Sequence, residues 1–157
     1  MKENETYLDR AISNYRYALT GLQFFDNATE DARDDAFLSL VAFHLEQAVE
    51  FVIRYTLDIC NIDYQDVRGI EKLLLPLEEM DFVLPEADYI YNHAEMLSDW
   101  EEFQNTPGYF VTRESLQEAI PKIGSFLKIT CRKLGHGDMN LLSEVSLANA
   151  EAKDPEL

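Results

Sequence analysis

Apolar residues recur at spacings of three and four along most of the chain, and this spacing limits the possible folds more than any other feature. One face of the segment 5–25 carries the series Leu8, Ile12, Tyr15, Leu19, Leu22 and Phe25. The stretch from Glu30 to Cys60 has a broader apolar surface, which predicts a central helix covered on more than one side. The 157 residues include only 6 Gly and 5 Pro, so the composition also favours helices over a turn-rich β fold.

Three further helices are predicted over 65–80, 86–103 and 112–134, with a loop at 104–111 before the last one. Proline in a helix interior removes a hydrogen bond, so Pro76 should end or kink the third helix. For the same reason Pro121 should kink the fifth helix or separate a short helix before it. The sequence therefore predicts an all-α fold, an antiparallel up-and-down bundle of about five helices.

The length suits one domain. We expect the bundle to occupy residues 1–136. Residues 137–157 form a short C-terminal extension whose acidic, small-residue end should be disordered.

The chain is strongly acidic, with 13 Lys and Arg against 30 Asp and Glu and a formal charge of −17. Such a charge repels nucleic acid and anionic membranes on average, so nucleic-acid binding is disfavoured and would need a local basic patch. The charged N-terminus (MKENETYLDR) does not resemble a signal peptide, and no apolar run is long enough to span a bilayer. We therefore expect a cytoplasmic protein without a membrane partner.

A polar stripe interrupts the apolar surface of the second helix at His44, Gln47, Glu50 and Arg54. Glu50 and Arg54 are spaced for an ion pair between successive turns. In a central helix these groups need partners, because buried unpaired polar atoms are costly. The stripe predicts either an internal hydrogen-bond network or dimer contact, or one wall of a ligand or partner cleft.

The segment HLEQAVE (44–50), followed by FVIR (51–54), resembles the second helix of HEPN domains. Further likenesses to this family are the turn IDY (62–64), the leucine-rich KLLL (72–75), DW (99–100) and the loop PGY (107–109). The resemblance covers roughly Tyr7 to Leu134. It is closest to the branch that accompanies minimal nucleotidyltransferases, including the helical domain of kanamycin nucleotidyltransferase, and it implies a HEPN-like bundle.

Active members of this family are metal-independent ribonucleases that use Arg, four to six residues, then His, in a cleft between two protomers. None of the three histidines here, His44, His93 and His136, has Arg at that spacing. Arg132 and His136 come within one residue of it, although they equally suit the basic end of a helix. Because the chain resembles this family but lacks the Arg–His spacing of its active members, the resemblance implies a non-catalytic, nucleotide- or RNA-associated binding module rather than an enzyme.

The resemblance further implies a homodimer that acts with a partner such as a minimal nucleotidyltransferase, in a toxin–antitoxin or resistance-type system. Trp100 and Tyr109, aromatic rings with polar tips, are the candidate dimer-interface residues. No metal-ligand motif is present, so no metal or other cofactor is expected. Two alternatives stay open: a degenerate ribonuclease that uses Arg132 and His136, and a small acidic protein-interaction domain.

Overall fold

The chain folds into helices and, in the part that the structure describes, contains no strand, which confirms the all-α prediction. The computed structural model describes residues 6–27, 35–64, 66–103, 106, 109 and 111–134. Its helices within these ranges are α1 (Tyr7–Asn27), α2 (Asp35–Ile59), α3 (Ile70–Glu79), α4 (Asp88–Asn92), α5 (Ala94–Glu102) and α6 (Arg113–Lys133).

The first two helices form an antiparallel pair. Tyr7 near the start of α1 stacks on Phe51 in the second half of α2, with ring centroids 5.5 Å apart. Farther along α1, Asn14 bonds to His44, which lies earlier in α2. Residue numbers therefore rise along α1 while those of their partners fall along α2.

Helix α2 is central, because it packs against α1, α3, α5 and α6. Its fully buried apolar residues are Ala42, Leu45, Ala48, Val49, Val52, Ile53 and Leu57. This arrangement confirms the prediction of a central second helix. None of the described helices is long and apolar enough to cross a membrane.

A buried tyrosine joins α1 to α6. Tyr15 is fully buried, and its hydroxyl donates a hydrogen bond of 2.9 Å to the carbonyl oxygen of Ile120. Burial raises the pKa of this phenol. A Cβ atom at Gly124, one turn farther along α6, would lie 2.5 Å from the Tyr15 hydroxyl, so this close approach requires glycine.

The fourth predicted helix is divided in two at His93. This residue has φ −123° and is both the C-cap of α4 and the N-cap of α5. Its ring stacks on Tyr89 at 4.1 Å between centroids, and its Nδ1 lies 2.9 Å from the Tyr89 carbonyl oxygen. These side-chain contacts stabilise the interruption between α4 and α5. The apolar spacing of 86–103 is continuous and does not predict it.

The third helix begins at Ile70, so the predicted start at residue 65 was wrong. Gly69 precedes it with φ 90°, in the left-handed region that favours glycine, and residues 66–69 form a loop. Glu71 N–H at the first turn then bonds to the Ser98 hydroxyl of α5 at 3.2 Å.

Neither proline ends its helix. Helix α3 continues past Pro76 to Glu79, and α6 runs without interruption through Pro121, so no separate short helix precedes it. The carbonyls that lose their usual donors belong to Lys72 and Gln117, both exposed residues, where water can replace the missing N–H group.

The start of the last helix is as predicted. Thr112 is its N-cap, and the Thr112 Oγ1 accepts a hydrogen bond of 3.1 Å from the backbone N–H of Ser115. Residues 135–157 lie outside the described part of the chain, and the division of the chain near residue 136 stays a prediction.

Gly124→Ala should lower the free energy of unfolding by about 1–3 kcal/mol, the range for overpacking a core. Without the contact to Tyr15, alanine in a helix interior would instead raise it by about 0.5–1 kcal/mol. Urea denaturation measures the difference, with Ser125→Ala, at an exposed neighbouring position, as the matched control. Adding Tyr15→Phe should reduce the cost of Gly124→Ala; an unchanged cost would contradict the assigned contact.

Candidate functional site

Acidic side chains from two helices meet beside the core. Glu46 and Glu50 lie one turn apart on α2, and Glu101 comes from the end of α5, which packs against α2. A carboxylate oxygen from each of the three lies within 4.8 Å of the others. We call these three residues the carboxylate cluster.

Arg54 neutralises one member of the carboxylate cluster. Its Nη2 and Nε donate hydrogen bonds of 2.9 and 3.1 Å to the same oxygen, Oε2 of Glu50. The guanidinium also bonds to the Val67 carbonyl at 3.3 Å and lies 5.2 Å from the centre of the Tyr64 ring. These contacts confirm the ion pair that the sequence spacing predicts, and they fix Arg54 in place.

Glu46 is the most buried member, with no exposed surface. Its Oε1 accepts a hydrogen bond of 2.7 Å from the Gln47 side-chain amide, which also lies 3.4 Å from Oε2 of Glu101. Oε2 of Glu46 and Oε1 of Glu50 are buried, and among the described residues no donor group bonds to either oxygen. Each glutamate of α2 therefore has one oxygen held by a neighbour and one oxygen unpaired.

The electrostatics of the carboxylate cluster favour uptake of positive charge. Burial, and then the nearby charge of Glu50, raise the pKa of Glu46 well above its usual value. Burial and Glu50 also raise the pKa of Glu101, while Arg68 and Arg54 act in the opposite direction. Positive charge near these oxygens would offset the repulsion that, together with burial, raises both pKa values.

Glu101 also borders an open cleft. The cleft lies between the start of α3 and α5, and its lining includes Arg68, Lys72, Glu95 and Asp99. Burial and three surrounding glutamates raise the pKa of Asp99. The carboxylate cluster is therefore continuous with a surface that is itself predominantly acidic.

The structure brings together Gln47, Glu50 and Arg54 of the predicted polar stripe, but places His44 elsewhere. His44 faces α1, where its Nδ1 lies 2.8 Å from Oδ1 of Asn14 and its ring is 5.3 Å from that of Tyr17. Burial lowers the pKa of His44. The polar groups of the stripe that lie together are therefore the amide of Gln47, the carboxylate of Glu50 and the guanidinium of Arg54, without the imidazole of His44.

The two candidate interface aromatics differ in exposure. Trp100 is 3% exposed and belongs to the core, so its side chain has little surface to offer a second protomer. Tyr109 is half-buried, with its ring 5.3 Å from that of Phe103. The dimer interface stays a prediction, with Tyr109 as its better-exposed member.

Only one residue of the candidate catalytic pair, Arg132 and His136, lies in the described part of the chain. Arg132 is exposed in the last turn of α6, while His136 lies outside the described residues. Their joint role stays a prediction.

Two residues of the carboxylate cluster, Glu46 and Glu101, were not predicted as site residues from the sequence. Glu46 has a detectable signal, because it lies four residues before Glu50 on a helix with a broad apolar surface. Glu101 has none: it lies 51 residues from Glu50, among the other acidic residues of 95–102, and its spacing does not distinguish it from them.

A family model described as HEPN domain matches residues 15–134 of the 157. The match starts within α1, ends just after α6, and includes all three residues of the carboxylate cluster. No curated protein and no solved structure matches the chain.

Arg54→Met should lower the free energy of unfolding by about 3 kcal/mol, because it leaves the carboxylate of Glu50 buried without its cation. The side chains of Arg54 and Glu50 are only 15% and 7% exposed. Urea denaturation at pH 7 measures the change, with the exposed Arg68→Met as control, expected within about 0.5 kcal/mol. Adding Glu50→Gln should recover part of the loss. Equal effects of Arg54→Met and Arg68→Met would refute the assignment.

His44→Gln should make the stability of the fold less dependent on pH. The unfolded chain takes up the proton near pH 6.5, but the folded chain only at a lower pH, because burial lowers the pKa of His44. The stability contribution is therefore complete above about pH 6.5 and lost as pH falls through the folded pKa. From pH 8 to pH 5 the urea midpoint of wild type should fall relative to that of the variant; parallel curves would contradict this reading.

Proposed function

Since the chain belongs to the HEPN domain family, a nucleotide- and RNA-associated helical module, we propose that it is a non-catalytic binding module of that family. It acts as a homodimer together with a partner, of the minimal nucleotidyltransferase class, in a toxin–antitoxin or resistance-type system. The similarity of residues 44–54 to the second helix of the branch that accompanies such enzymes supports this partner class.

The observation that carries the non-catalytic assignment is the charge of the site on α2. Arg54, the cation of the family-like segment, is bonded to Glu50 and covered by Tyr64. Glu46 and Glu101 add two further carboxylates beside this pair. A phosphodiester there would meet negative charge, with the guanidinium already engaged.

The positions of the described histidines also argue against cleavage at this site. His44 bonds to Asn14 on the α1 side, and the Nδ1 of His93 lies against the Tyr89 carbonyl within its own segment. In the described ranges, neither imidazole belongs to the carboxylate cluster. General acid–base cleavage of RNA needs such a group within hydrogen-bond reach of the reacting oxygen.

The proposal predicts that the purified chain leaves a mixed RNA substrate intact in EDTA. Light scattering should give a mass near twice the 18.1 kDa of the chain. Gel analysis of the RNA, with Arg132→Ala and His136→Ala prepared identically, separates the chain from contaminating nucleases. When the tagged chain is purified from its native host, mass spectrometry should identify a protein with a nucleotidyltransferase domain.

Each alternative gives a different result. Cleavage by the wild type that both variants abolish would establish a degenerate ribonuclease that uses Arg132 and His136, and would overturn the proposal. A monomer that cleaves no RNA and retains no nucleotidyltransferase would instead favour a small acidic interaction domain. A silent dimer that retains the enzyme is the expected outcome.

A further inference from the structure

We propose that the carboxylate cluster binds one divalent cation of the hard, oxygen-preferring class, such as Mn²⁺, Mg²⁺ or Ca²⁺. The ligands would be Glu46 and Glu50 of α2 and Glu101 of α5. This site goes beyond the proposed function, and no metal-ligand motif in the sequence predicts it.

The distances within the carboxylate cluster suit one shared ion. Oxygen ligands lie about 2.0–2.6 Å from Mg²⁺ or Ca²⁺, so two oxygens on opposite sides of the same ion are roughly 4–5 Å apart. One oxygen from each of the three glutamates lies within 4.8 Å of the other two. A single cation between them can therefore contact all three without a rearrangement of either helix.

The unpaired oxygens are the second, independent observation. Glu46 is fully buried and Glu50 is 5% exposed, yet within the described part of the chain no donor group faces Oε2 of the first or Oε1 of the second. The hydrogen bond open to this pair is one between the two carboxyls, and it needs a proton on one of them. Buried polar atoms in folded proteins nearly always have one, and leaving a buried acceptor unpaired is costly. A cation in the carboxylate cluster would satisfy both oxygens at once.

The neighbouring side chains orient these two oxygens. Gln47 holds Oε1 of Glu46 at 2.7 Å, and Arg54 holds Oε2 of Glu50 at 2.9 Å. The other oxygen of each carboxylate is thereby left for the ion. Outer hydrogen bonds of this kind fix ligand orientation at established metal sites.

The charges balance for a divalent ion. Three carboxylates and the guanidinium of Arg54 sum to −2, which one divalent cation neutralises.

The donor atoms select the class of metal. All three ligands are carboxylates, which favour Mg²⁺, Ca²⁺ and Mn²⁺ over metals that prefer imidazole or thiolate. Glu101 is half-buried and lines the open cleft between α3 and α5, which gives an ion and its remaining water ligands a route from solvent.

Manganese titration of the chelator-treated chain tests the site, with the electron paramagnetic resonance signal of free Mn²⁺ as readout. We expect one Mn²⁺ per chain, with competition by Mg²⁺ or Ca²⁺. Glu46→Gln and Glu101→Gln should each weaken binding at least tenfold. Glu95→Gln, an exposed residue of α5 that lines the same cleft, removes the same charge outside the cluster and should bind like wild type.

Thermal unfolding supplies a second readout that does not depend on spectroscopy. A cation at a hundred times its wild-type Kd should raise the Tm of wild type and Glu95→Gln by roughly 5–10 °C, and that of Glu46→Gln by about half as much or less. Circular dichroism confirms that each variant is folded. Because neither readout uses RNA or a partner, failure here is distinguishable from failure of the proposed function.

Two results would overturn the proposal. The first is the absence of stoichiometric Mn²⁺ binding at millimolar concentration, in which case a proton alone stabilises the pair Glu46 and Glu50. The second is equal, weak binding by wild type and all three variants, which would assign the ions to the acidic surface in general.

Discussion

The burial of α2 between four other helices is the constraint on which the rest of the structure depends. A helix in this position must cover residues around most of its circumference, so polar groups along it need partners from neighbouring elements. Glu50 obtains Arg54 within the same helix, and Arg54 in turn contacts Val67 and Tyr64. The central packing thus turns a local ion pair into a link between α2 and the loop that precedes α3.

The same burial determines what the polar side of α2 can do. In water, Glu46 and Glu50 would both be ionised and would repel each other weakly. In the core, the cost of two neighbouring charges is much larger, which is why burial and Glu50 raise the pKa of Glu46. The arrangement attracts a proton or a cation and repels phosphate. The proposed cation site and the proposed absence of ribonuclease chemistry therefore have one electrostatic cause.

The HEPN fold is the scaffold that positions the carboxylate cluster. Its second helix carries the family-like segment 44–54, yet the chain presents carboxylates there with the guanidinium already paired. As proposed, the module acts through a partner without cleaving RNA itself. The exposed end of α6, with Arg132 and Lys133, lies on a different helix from the carboxylate cluster, so the two can be tested by separate substitutions.

The sequence by itself determined the helical fold, the central position of α2 and the pair Glu50–Arg54, because periodicity and i, i+4 spacing are local properties of a helix. Only the tertiary structure decided that Glu101 joins Glu46 and Glu50 while His44 turns to α1. It also decided the break at His93, which side-chain contacts stabilise. Sequence spacing shows which residues share one face of a helix, but it does not show which neighbouring helix packs against that face. The packing of α5 against α2 is what brings the residues of the candidate site together.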